Sequence, residues 1–66
     1  MESIECAITL NSIGSLYNNL GKLDEAFKYY TRALSIYERV KGKESFDCAN
    51  TLNNIGSVYK KHGKLN

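Results

Sequence analysis

This 66-residue sequence predicts an all-α fold of three antiparallel helices. Three observations carry that expectation. First, shifting the chain by 42 residues lays Cys6–Tyr17 over Cys48–Tyr59 and Gly21-Lys22-Leu23 over Gly63-Lys64-Leu65, and 12 of the 18 positions from 6 to 23 are identical. Second, apolar residues inside each copy recur every three or four positions, which places them on one face of an α-helix. Third, the chain has no Pro and five Gly, the pattern of helices punctuated by turns.

The first helix is expected over about 4–20. Ser3 is its candidate N-cap, because a serine hydroxyl can accept from a backbone N–H left without an intrahelical partner. Its stripe is Ala7, Leu10, Ile13, Tyr17 and Leu20, and Gly21 stands where it should end.

The second helix is expected over 24–41. Asp24 and Glu25 open it, where the helix dipole favours carboxylates. Ala26, Tyr30, Ala33, Tyr37 and Val40 form its stripe, widened by Phe27 and Leu34, and Lys41-Gly42 close it.

The third helix is expected over 46–62, with Ser45 as N-cap and Gly63 as its stop. Its stripe, copied from the first, is Ala49, Leu52, Ile55 and Tyr59, with His62 in place of Leu20. This stripe is expected to cover one side of the second helix. Gly14 and Gly56 lie mid-helix, where glycine costs about 1 kcal/mol relative to alanine, so a neighbouring helix is expected to approach closely at both. Short connections make successive helices antiparallel neighbours.

Composition narrows the function. Nine Lys and Arg against seven Asp and Glu leave +2, too little for the footprint of a nucleic-acid binder. Two cysteines and one histidine are too few for a four-ligand zinc site or a disulfide framework. No apolar run approaches the roughly 20 residues that span a bilayer. Met1 is followed by Glu2 and Glu5 rather than a basic start and an apolar stretch, so no secretory signal is read and a cytoplasmic location is expected. No Ser, His and acidic residues are spaced as a triad, and the glycines sit mid-helix or at helix ends rather than in a phosphate-cradling loop. Neither catalytic residues, cofactor, metal nor small-molecule substrate is expected.

Leu10, Ile13-Gly14, Tyr17, Gly21, Ala26, Tyr30 and Ala33 together resemble the tetratricopeptide repeat. The phrases Thr51-Leu52-Asn53-Asn54-Ile55-Gly56 and Ala33-Leu34-Ser35-Ile36-Tyr37-Glu38 resemble its 42-residue kinesin-light-chain-like form. The resemblance implies an α-solenoid built from helix-turn-helix units and covers the chain as one module over 1–66. Repeat 1 runs over about 7–42 and a partial repeat 2, first helix only, over 49–66. The loop Gly42-Lys43-Glu44-Ser45-Phe46-Asp47 departs from the family in lacking the His-Pro common there. One and a half repeats suggest a piece of a longer scaffold, since about three repeats are usually needed to bury the core.

By that resemblance the module is a non-catalytic protein–protein interaction unit. The first helix of each repeat would line a concave groove for a peptide or partner helix, with Asn11, Ser15, Asn18, Asn50, Asn53, Asn54, Ser57, Lys60 and Lys61 as contact residues. Asparagine both donates and accepts, so it can bond a peptide backbone whatever the side chains, and the lysines could attract an acidic ligand. The alternative is a self-assembling structural unit, a helix-exchanged dimer or stacked superhelix without a dedicated ligand. Self-association of the isolated chain is expected alongside a protein or peptide partner.

Overall fold

The computed structural model describes residues 3–65, with side chains described through Gly63. Three helices succeed one another: α1 (Ile4–Asn19), α2 (Leu23–Lys41) and α3 (Phe46–Leu65). The last part of the expected second repeat, Asn66 and the side chains of Lys64 and Leu65, lies outside the described residues.

The starts and stops obey the expected chemistry. Ser3 Oγ accepts from Cys6 N at 3.2 Å, and Ser45 Oγ accepts from Cys48 N at 3.3 Å. The end of α1 is a paired closure in which Lys22 N donates to Tyr17 O and Gly21 N to Asn18 O. It needs the left-handed conformation that Gly21 supplies at φ 79°. Gly42 ends α2 at φ 94°. Gly63 does not stop α3, which continues to Leu65. After Gly21 the chain turns back so that Leu23 is buried in the core.

The core is two clusters strung along α2. One gathers Ala7, Leu10, Ala33, Ile36, Tyr37 and Cys48. The other gathers Leu23, Ala26, Tyr30 and Val58, with Tyr17 and Ile55 packed against it. α2 is therefore the element both neighbours bury against. Full burial of a large side chain stabilises by about 1.5–3 kcal/mol, and Tyr30 is the largest one wholly inside. Its hydroxyl shares a 2.8 Å hydrogen bond with Ser15 Oγ, so the ring is buried without an orphaned polar atom. The stripes of α1 and α2 are otherwise close to expectation, except that Leu20, Phe27 and Val40 are exposed while Ile36 is inside.

The third stripe is a correction. Ala49, Leu52 and Tyr59 face outward and Ile55 is half-buried, while Cys48, Thr51 and Val58 are buried against α2. α3 packs on α2 beside α1 rather than in the place of α1, and so it turns a different face inward. The expected close approach at Gly56 is absent too. A Cβ there would meet nothing within 4 Å, whereas at Gly14 it would lie 2.8 Å from Tyr30 Cδ1.

Candidate polar groove along the first-helix surfaces

α1 and α3 lie side by side, and two hydrogen bonds join them. Asn54 Nδ2 donates to Asn11 Oδ1 at 3.3 Å, and Lys61 Nζ donates to Asn18 O at 3.3 Å. Both span one repeat length plus one residue, so the seam runs at a constant offset along the two helices.

This seam sorts the nine residues expected from sequence. Asn11 and Asn54 are half-buried and bonded to each other. Ser15 and Ser57 are half-buried, and the Ser15 hydroxyl is engaged with Tyr30. Asn50, Asn53, Lys60 and Lys61 are exposed. Asn18 is buried, its backbone carbonyl taken by Lys61 and Gly21, and its side-chain Oδ1 has no partner among the described residues. The surface thus presents amide and ammonium groups from α3 beside a closed polar seam. The exposed groups can hydrogen-bond a backbone and attract a carboxylate.

Two further features were not singled out from sequence. A cleft of about 350 Å³ opens between α2 and α3, lined by Leu23, Asp24, Phe27, Val58, Tyr59 and His62. Tyr59 stands edge-on to Phe27 there, with ring centroids 5.3 Å apart. None of the nine expected residues lines it. At the α2–α3 turn, Lys41 Nζ pairs with Asp47 Oδ2 at 2.7 Å. That hydrogen bond raises the Lys41 pKa. Burial raises that of Tyr37 nearby, and the Asp47 charge adds to it. The seam gave no distinct sequence signal: Ser12 against Asn54 and Asn19 against Lys61 are two of six mismatched pairs between 6–23 and 48–65.

Among the described residues no group of three or more His, Cys, Asp or Glu could hold a metal ion, and no helix is long and apolar enough to cross a membrane. Cys6 and Cys48 are both free thiols.

Two helices packed antiparallel on each other, with a copy of the first stacked beside it, define a helical-repeat protein of the α-solenoid class. The family model of the tetratricopeptide repeat matches residues 5–66, and the chain belongs to that family. No curated protein and no solved structure matches the chain. Tetratricopeptide repeats typically serve as non-catalytic mediators of protein–protein interaction.

Proposed function

We propose that this chain is a non-catalytic binding module in which the adjoining surfaces of α1 and α3 form a groove for an extended peptide or a partner helix. The observation that supports this best is the bonded seam between the two first helices. It holds their polar faces in register and leaves Asn50, Asn53 and Lys60 open to solvent beside it. Asn50 and Asn53 would bond the ligand backbone, and Lys60 would draw an acidic side chain or terminal carboxylate. Asn11 and Asn54 act in this scheme by fixing the groove floor. The 42-residue period favours the kinesin-light-chain-like subtype, and a cytoplasmic setting fits a chain with two free thiols.

The test uses peptides selected from a displayed random dodecapeptide library against the chain, measured by fluorescence anisotropy. Asn50→Ala with Asn53→Ala alters only exposed side chains, so helicity should hold while affinity falls at least about tenfold. Unchanged affinity in the double variant overturns the groove.

A further inference from the structure

Ile8, Ser12, Ser15 and Asn19 are spaced 4, 3 and 4 along α1, so they form one stripe, and it borders the Asn11–Asn54 seam. The same repeat positions on α3 are Asn50, Asn54, Ser57 and Lys61. These two stripes are the walls of the proposed groove, and seven of their eight residues are polar. The exception is Ile8, which is 53% exposed and belongs to neither core cluster. Leu16 and Leu20, the other exposed large apolar residues of α1, lie on its far side, five and nine residues on from Asn11.

Packing does not account for an isoleucine at this place. An exposed isoleucine keeps little of the stabilisation that burial provides, and its branched Cβ lowers helix propensity relative to alanine. The matching position of the other copy carries Asn50, so the helix accepts a polar side chain there. The seam also places Ile8 among groups that can bond a backbone. Its two bonds join residues 43 apart, which sets Ile8 level with position 51 on α3. Asn50 then stands across the groove from Ile8, and the bonded Asn11–Asn54 pair lies one turn along. An aliphatic patch beside amide groups fits an extended chain, whose backbone is free to bond and whose side chains project alternately to either side. A helix offers side chains only, because its amides are bonded internally.

We propose that Ile8 is the specificity-determining residue of this groove: it seats one aliphatic side chain of an extended peptide whose adjoining backbone bonds Asn50. The inference rests on the groove reading and adds to it the ligand's conformation and the side chain it must carry. Both walls, and the seam between them, lie within the described residues.

Peptides selected from the displayed dodecapeptide library on the wild type test this. Their affinities are measured by fluorescence anisotropy on the wild type, Ile8→Asn, Ile8→Val and the Asn50→Ala, Asn53→Ala double variant. Ile8→Asn installs the residue that the other copy carries at this position, so helicity should be unchanged. The selected peptides should share one Val, Ile, Leu or Met position. Replacing that side chain by Ala should weaken binding to the wild type about fivefold to tenfold, and binding to Ile8→Asn by less than about twofold. Ile8→Val keeps the aliphatic surface and should bind within about twofold of the wild type. A peptide replacement that costs the same on both proteins, no shared aliphatic position, or equal affinity for Ile8→Asn and the wild type each overturns the inference. So does a peptide that turns helical on binding, read by circular dichroism of the complex. If such peptides still weaken on the double variant, the groove stands without Ile8. Peptides indifferent to every substitution, or a library without binders, overturn the groove as well.

Discussion

Gly14 lies so close to Tyr30 that a single added methyl would stand 2.8 Å from Cδ1 and 2.9 Å from Cε1 of the ring. The ring is 1% exposed and its hydroxyl is bonded to Ser15, so it has nowhere to retreat. Gly14 is therefore the reason that α1 and α2 can pack around a tyrosine at all.

Gly14→Ala and Gly56→Ala should move stability in opposite directions despite their equivalent positions. At Gly14 the overpacking cost of about 1–3 kcal/mol outweighs the gain in helix propensity of about 1 kcal/mol. Stability should fall by up to about 2 kcal/mol. At Gly56 the space is open, and stability should rise by up to about 1 kcal/mol. Thermal melts monitored by circular dichroism should separate the pair clearly, since 1 kcal/mol shifts a small domain by roughly 4–8 °C. Equal shifts would mean that the ring does not stand over Gly14.

Thr51 is fully buried on α3, and its Oγ1 finds no hydrogen-bond partner among the described residues. Thr51→Val keeps the shape and removes the stranded hydroxyl. It should stabilise the chain by about 1 kcal/mol. Chemical denaturation of the two proteins checks this, and a loss of stability in the valine variant would show that the hydroxyl is satisfied.

Stability should fall at alkaline pH. Burial raises the Tyr37 pKa, with Asp47 adding to it, and the hydrogen bond to Asp47 raises that of Lys41. Both groups hold their protons more tightly folded than unfolded. The stabilisation is thus complete below their ordinary values of 10.0 and 10.5 and is lost as pH rises through the raised folded values. Melting temperature should decline from about pH 10 upward. Tyr37→Phe should flatten the first part of that decline. A variant that tracks the wild type throughout would place the titration elsewhere.

The fold was legible because its cues are local. The serine caps and the turn glycines at 21 and 42 each act within a few residues. The inward face of α3 was not legible, for a physical reason. Cys6 and Cys48 are the same residue at the same place in the repeat, yet Cys6 is exposed, while Cys48 is buried and donates from Sγ to Gly42 O. Ala7 and Ala49 show the reverse. What differs is the neighbour, since α1 meets α2 from within its repeat and α3 meets it from the next. Identical residues cannot encode that difference. The polar side chains assigned to the proposed groove are visible in the sequence, but the seam is not, because its bonds connect unlike positions.

That seam gives the molecule a direction. Asn54 and Lys61 on α3 reach back to α1, while their counterparts on α1, Ser12 and Asn19, are a shorter hydroxyl and a shorter amide, both exposed. The two copies differ at the positions through which α3 bonds to α1. Exchanging the two helices along the chain would carry the long donors away from this seam and leave it to side chains too short to cross it. The repeat is duplicated in sequence, but as a building block it has a leading edge and a trailing edge that are not interchangeable.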